Sequence, residues 1–433
     1  MTVADRVFDA VIIGAGLGGL STGIRLRQAG LSVLVIERLA RAGGLCGTVV
    51  EDGLEYVIAC NDFGSGIRKD MQELGVEFLF EEACTRVLYG KKFYCLPPDA
   101  RTILQMLPHA SALIRHVLGQ RSARARRYMG SPYLAEHLER QGVSGASADL
   151  LMLPSYLMGV SPDRFRLDAL DHEFQFKYGY SKPVTPVGGP QRFANALAER
   201  FEQLGGQLKL NTTFLGSRKT GRQEHQVDTT QGSCRARHLV TTLSPSDEAG
   251  AFESGLSISM LWLRLDGAFE FPKGVHTHVY YPPGISDWFG SIYDGSLPED
   301  FGFHLFCSDL GVQSAARTAN VYFYAPKGHE DVHHVQQQMT EYVFRNIDKL
   351  IPGVRSAIQS HRFISPSGFM ARHQFLPRVT PWIVPAGTPS IMNYDPERDI
   401  YFAGASAYPP GDHAGSAIRS SAHVARIIQT HRE

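Results

Sequence analysis

Ala10 to Ile13 is an uninterrupted apolar, β-rich run. The period then changes: Leu17, Leu20 and Ile24 recur at helical spacing up to Gln28, Gly30 offers a stop, and Leu31 to Ile36, apolar but for Ser32, reads as a second buried strand. Strands without a polar face must be covered on both sides, so the pattern predicts a β-α-β unit in a parallel sheet. Thr48 to Ala59 alternates around Gly53 as two short strands, Ile67 to Leu74 reads as a helix, and Val87 to Leu96 turns at Gly90-Lys91 as a hairpin. Between Ala100 and Tyr128, Ile103, Leu104, Leu107, Leu113, Ile114, Val117 and Leu118 fit one or two helices, and Tyr133 to Leu153 is helical in pattern. Ser257 to Leu265, Val275 to Tyr281, Gly302 to Phe306 and Asn320 to Ala325 are strand-like and rich in aromatics, which predicts a mixed sheet flooring a substrate pocket. Glu330 to Leu350 is a long amphipathic helix. From Asp399 to Ile428 come an apolar strand, Gly404, a Pro-Pro-Gly turn and a helix starting near Asp412.

Chemistry enters where the first strand meets the first helix. Gly14, Gly16 and Gly19 have the spacing G-x-G-x-x-G: the first glycine allows the tight turn, the second admits a pyrophosphate to the backbone, and the third brings helix against strand. The helix N-terminus supplies free N–H groups and a positive dipole. Glu37 closes the second strand, where a carboxylate takes both hydroxyls of an adenosine ribose and repels a 2′-phosphate. Gly14 to Gly19, including Ala15, Leu17 and Gly18, together with Glu37 and the adjoining Arg38, are therefore candidate dinucleotide contacts.

Composition narrows the class. Lys plus Arg and Asp plus Glu stand at 43 each in 433 residues, which argues against a nucleic-acid partner and suits two domains. The six cysteines form no C-x-x-C pair, as expected of reduced thiols in the cytoplasm. No apolar run reaches spanning length and no signal peptide precedes the first strand, so a soluble or at most peripheral protein is expected. Arg121, Arg124, Arg126 and Arg127 follow the helical stretch; they read either as the solvated end of a helical cap or as a contact for an anionic membrane or an acidic partner. His329-Glu330-Asp331-Val332-His333 matches H-E-x-x-H, but Gly328 puts His329 at a helix boundary and no metal is expected.

Arg41, Gly43, Gly44 and Gly47 resemble the R-x-G-G element of the flavin amine oxidase and phytoene desaturase superfamily, and Val184 to Arg200 (VTPVGGPQRFANALAER) resembles phytoene desaturases and carotenoid isomerases. The resemblance extends to Ala325 to Gly328, to Ser365 to Phe369 and to the C-terminal segment. It implies FAD rather than NAD. It implies an α/β fold in which a Rossmann-type FAD-binding domain (1-86, 183-250 and 390-433) carries a mixed-sheet and helical-cap substrate domain (87-182 and 251-389). Gly205-Gly206 would lead into a strand from Leu208 to Phe214, with backbone near Phe214 on the adenine. Leu45, Gly404, Ala405, Gly411, Asp412, His413 and Ala414 would join the cofactor contacts. Val57-Ile58-Ala59 stands where relatives carry Asp-x-Gly, so Cys60, Asn61 and Asp62 read equally as groups beside the flavin and as turn formers. With no Cys after Cys307, FAD is expected to be non-covalent.

The superfamily hosts amine oxidation, C–C desaturation, redox-neutral isomerisation and flavin-free escort proteins. Amine oxidases place a Lys on the strand corresponding to Ser257 to Leu265, which has none, and an aromatic where Asp412 stands. Pro410, Gly411 and Gly415 look more like desaturases. The expectation is dehydrogenation of a C–C bond by hydride transfer to flavin N5, with Asp412 or His413, or failing them Asp62, taking the proton; His413 at a helix start also reads as a plain cap.

Overall fold

The computed structural model describes residues 7–60, 63–125, 133–167, 182–221, 224–242, 253–307, 316–373, 382–383, 392–409 and 414–431. Two sheets organise them. In the first, Val7–Ile13 lies parallel to Val33–Ile36 on one side and to Gly232–Thr241 on the other. Gln207–Lys209 extends one edge and Ile400–Phe402 joins the C-terminal half of Gly232–Thr241, both in parallel. Its N-terminal half pairs antiparallel with Glu224–Thr229, which hairpins onto Phe214–Gly221.

The continuous apolar runs are explained by this placement. Ala10, Ile12, Val33 and Val35 pack under the helices Leu17–Gln28, Gly189–Gln203 and Ala414–Thr430, while Val11, Ile13, Leu34 and Ile36 enter a cluster on the opposite face. The α/β, Rossmann-type reading holds.

The second sheet is mixed and seven-stranded: Ile358–Ile364, Ile258–Asp266, Ala316–Tyr324, Phe303–Phe306, Val275–Tyr281, Cys84–Tyr89, Lys92–Leu96. Only Val275–Tyr281 and Cys84–Tyr89 run parallel. On one face the helix His333–Leu350 inserts Val335, Met339, Val343 and Ile347, at i,i+4 spacing, into the cluster of Leu261, Leu263, Val321 and Phe323.

Four local expectations change. The stretch Leu208 to Phe214 is not one strand: pairing ends at Lys209, Asn211 turns at φ 49°, and Phe214 opens the hairpin. The edge strand Ile358–Ile364 escapes a hydrophobic reading because its middle is polar and exposed, as edges must be to avoid pairing with other chains. The helix Ile285–Tyr293 was also missed; its first N–H groups are met by a remote carboxylate, Gly284 and Ile285 donating to Asp149 at 2.8 and 3.1 Å.

The fourth concerns the cap. The helices Ala100–Met106 and Ala110–Ala125 form as the spacing predicts, yet their apolar residues face solvent. Thr102, Ala112 and His116 are the buried ones.

The sheet also buries imidazoles. Burial pushes His276 down to about 4 and His278 and His304 each to about 3, Arg86 adding to the effect at His278, and neither nitrogen of His278 has a hydrogen-bond partner. These rings stay neutral when folded but protonate near pH 6.5 when unfolded, so the stability they contribute is complete above that pH and is lost as pH falls toward 3–4. Each is expected to remove on the order of 1–2 kcal/mol between pH 6.5 and pH 5. Urea denaturation at the two pH values checks this; equal midpoints would mean that the rings protonate without unfolding.

Candidate cofactor and substrate site

The first-sheet strands end together at their C-terminal edge, where ligands bind in open α/β sheets. Thr242 N–H donates to Ile13 O at 2.9 Å and Ala403 N–H to Thr241 O at 3.0 Å, which brings the N-terminal turn beside the C-terminal segment. Gly14 sits at φ 98°, and a Cβ on Gly19 would lie 2.0 Å from the carbonyl oxygen of Gly14. Helix and turn can touch only through glycine here. Gly16 is different: nothing lies within 4 Å of where its Cβ would stand. The helix it begins has no side-chain cap and no acid in its first turn, so its first N–H groups open onto that space. Such a cradle fits a pyrophosphate.

Glu37 is 6% exposed. Its Oε2 accepts from Ala15 N–H at 2.8 Å and its Oε1 from Leu39 N–H at 3.0 Å. Each oxygen keeps acceptor capacity for a further donor such as a ribose hydroxyl, so the carboxylate that ties down the turn fits a ribose as well. Arg38 follows it, half-buried. The second glycine pair closes over the first: Gly43 N–H donates to Ala15 O at 2.8 Å, and Gly44 would place a Cβ 3.2 Å from Gly16 Cα. Arg41 is spent on holding this turn, donating to Ala42 O, Gly44 O and Gln191 Oε1 at 3.1–3.3 Å.

At the other end of the chain, Gly404 N–H donates to Ser420 Oγ at 2.7 Å, and a Cβ on Gly18 would lie 2.8 Å from the Gly404 backbone. The C-terminal helix carries small buried residues, Ala414, Gly415, Ser416, Ser420 and Ser421, which allow this approach. Gly14 to Gly19, Glu37, Gly43, Gly44 and Gly404 are thus brought to one place, with Ala405 beside Gly404 and Ala414 buried at the start of the described helix. Phe214 opens its hairpin strand two residues after Thr212, whose N–H donates to Glu37 O at 2.8 Å. Asp62, Gly411, Asp412 and His413 lie outside the described residues, as do Arg126 and Arg127. His329 and His333 do not share a helical face, because the helix begins at His333.

Leu45 leads from the cradle to the second sheet, where it packs against a buried cluster that includes Tyr56, Ile58, Met260, Trp262, Phe306 and Tyr322. Tyr56 stacks on Trp262 with ring centroids 4.9 Å apart, and Phe306 and Tyr322 lie 4.7 Å apart. Asn320 Nδ2 donates to Val57 O at 2.6 Å and Thr318 Oγ1 to Glu55 O at 2.7 Å, locking the sheet onto the segment that leaves the cradle. Deeper in, Tyr156 and His304 have ring centroids 5.0 Å apart, and Tyr156 Oη and His304 Nε2 are buried with no hydrogen-bond partner among the described residues.

Sequence reasoning named none of these wall residues. Period-two alternation in Ile258–Asp266 already puts Met260 and Trp262 on one face, but which face looks toward the cradle is a tertiary fact.

A family model, NAD(P)-binding Rossmann-like domain, matches residues 12–66. All-trans-retinol 13,14-reductase of Danio rerio is 43% identical over 65 residues, which is 14% of this chain and 11% of that protein, so the match spans about a tenth of that relative. Prolycopene isomerase of Daucus carota is 32% identical over 112 residues, 26% of this chain and 17% of the relative. The lycopene-forming phytoene desaturase of Pantoea ananas is 22% identical over 474 aligned positions, covering 92% of this chain and 94% of the relative. Among solved structures, an oxidoreductase from Methanosarcina mazei superposes with a TM-score of 0.67 at 16% identity, covering 96% of this chain and 99% of that one. Cyclohexylamine oxidase from Brevibacterium oxydans gives 0.66 at 16% identity, covering 98% and 99%. The glycine cradle with the Glu37 carboxylate, the second mixed sheet and these likenesses converge on one conclusion: the chain carries a Rossmann-like dinucleotide-binding domain and is similar in sequence to the phytoene desaturases and prolycopene isomerases and in fold to amine oxidases.

Proposed function

We propose that this chain binds FAD non-covalently and dehydrogenates a C–C bond of an apolar substrate. The observation that carries the reading is the packing beside the cradle: Tyr56, Met260, Trp262, Phe306 and Tyr322 form a buried aromatic and thioether cluster where the segment leaving the cradle is locked onto the second sheet. An apolar chain gains about 25 cal/mol per Å² buried beside such side chains, whereas an ammonium brought there would lose its hydration. Bound FAD supplies the two-electron acceptor. The protein's part is to exclude water with these aromatics and to receive the proton released when the double bond forms, a role we assign to Asp412 or His413, which precede the C-terminal helix in the chain. The positive end of that helix favours the negative charge that arises at the cofactor edge.

Anaerobic mixing of the yellow protein with a panel of polyene, amine and carrier-bound acid substrates tests the reading. Polyenes are expected to bleach the flavin band and amines to leave it unchanged. Bleaching by amines alone would replace C–C with C–N oxidation, and a colourless purified protein would remove the flavin reading altogether.

Glu37→Ala is expected to weaken FAD without changing the reaction type. The ribose hydroxyls lose charge-assisted hydrogen bonds of roughly 1.5–3 kcal/mol each. The variant also unties Ala15 and Leu39, whose N–H groups Glu37 accepts, so Glu37→Gln should fall between it and wild type. FAD titration of the three apoproteins checks this, and equal affinities would misplace the adenosine end.

A further inference from the structure

The cap helices are inside out. Seven of the thirteen large apolar side chains exposed among the described residues fall between Ile103 and Leu118, which sets this stretch apart from the singly scattered others. Ile103, Leu104, Leu107, Ile114 and Leu118 are 56–67% exposed. Apart from Met106, which packs against the core, the faces turned inward are small or polar: Thr102 and Ala112, His116 against His137 with ring centroids 5.1 Å apart, and Gly119, where a Cβ would lie 2.7 Å from His137 Cε1. A surface helix of a soluble protein has the opposite arrangement.

Charge selects the occupant. Between Asp99 and Glu136 the chain has no acidic residue but six arginines, Arg101, Arg115, Arg121, Arg124, Arg126 and Arg127, in a protein whose formal net charge is zero. Arg101 and Arg115 are exposed on the two helices themselves. A second copy meeting this face by a two-fold contact would set the arginines against their own kind with no carboxylate from the segment to pair them. An anionic bilayer offers both halves of what the segment lacks: apolar depth for the leucines and isoleucines, and phosphates for the guanidinium groups.

We propose that the outward face of the helices Ala100–Met106 and Ala110–Ala125 is a docking surface for an anionic lipid bilayer, with its apolar side chains inserted at the interface and the exposed Arg101 and Arg115 at headgroup level. No helix among the described residues is long and apolar enough to cross a membrane, so the protein lies on the bilayer through this segment. The inference does not depend on which bond the enzyme oxidises.

Flotation of the purified full-length protein with vesicles tests it. Vesicles of equal parts phosphatidylcholine and phosphatidylglycerol are expected to carry the wild type upward, pure phosphatidylcholine vesicles much less, and added salt should shrink the difference. A variant with Leu104, Leu107, Ile114 and Leu118 all changed to Ser keeps the buried face intact and should stay at the bottom, each change costing roughly tenfold in partitioning, with far-UV circular dichroism and flavin content as in wild type. Changing Arg121, Arg124, Arg126 and Arg127 to Gln should abolish the preference for phosphatidylglycerol. Flotation of the serine variant equal to wild type would overturn the proposal. So would absence of wild-type flotation together with a concentration-dependent dimer that the serine changes dissolve.

Discussion

Asp70→Ala is expected to destabilise the folded protein by about 3–5 kcal/mol, the range for removing one partner of a buried ion pair. Asp70 is fully buried on the helix Ile67–Leu74, and its Oδ1 lies 3.0 Å from Nε of Arg419 on the C-terminal helix, which is 16% exposed. Glu73 extends the contact, 3.7 Å from Arg419 and 3.1 Å from Arg25 of the fingerprint helix, while Arg25 Nε also donates to Ser421 Oγ at 3.2 Å. Three helices from distant parts of the chain thus share one charge network behind the cradle. Without Asp70 the guanidinium still has the half-exposed Glu73 at 3.7 Å, so the loss should lie toward the lower end of the range. Flavin retention should fall with it, because this network holds the helix whose Ser420 receives the Gly404 N–H. Replacing Asp70 and Arg419 together with Leu should cost less than Asp70→Ala alone, since no unpaired charge remains. Urea denaturation of the flavin-loaded proteins measures both effects; a loss well under 1 kcal/mol for Asp70→Ala would show that the pair does not anchor the helix.

The second large effect is kinetic. Asp412→Ala is expected to slow flavin reduction by the true substrate roughly 10²–10⁴-fold, about 3–5 kcal/mol, with FAD occupancy near that of wild type. The argument rests on the position of Asp412 and His413 in the chain: they join Pro409, which is buried, to Ala414, the first described residue of the C-terminal helix. His413→Ala, measured beside it by single-turnover mixing, identifies which of the two receives the proton. Wild-type rates in both variants would move proton transfer elsewhere, with Cys60 to Asp62 the next segment to test.

The sequence alone determined the cofactor end of the molecule. The dinucleotide cradle needs a strand, three glycines, a helix and a carboxylate within one short stretch, and such local chemistry shows in spacing. The second glycine pair and the C-terminal Gly404 were legible for the same reason, because backbone-to-backbone approach tolerates no side chain. The strands of the second sheet were legible from their aromatics and alternation, except for the polar edge at Ile358–Ile364. Only the tertiary structure decided which faces look where. Trp262 is covered because Tyr56 stacks on it from a segment some 200 residues earlier, and Tyr156 and His304 meet across the junction of helix and sheet. The helix-forming pattern from Ile103 to Leu118 was read correctly, but the direction of its apolar side was not. Periodicity reports that a face exists; whether that face finds protein or remains exposed depends on what the rest of the chain brings against it.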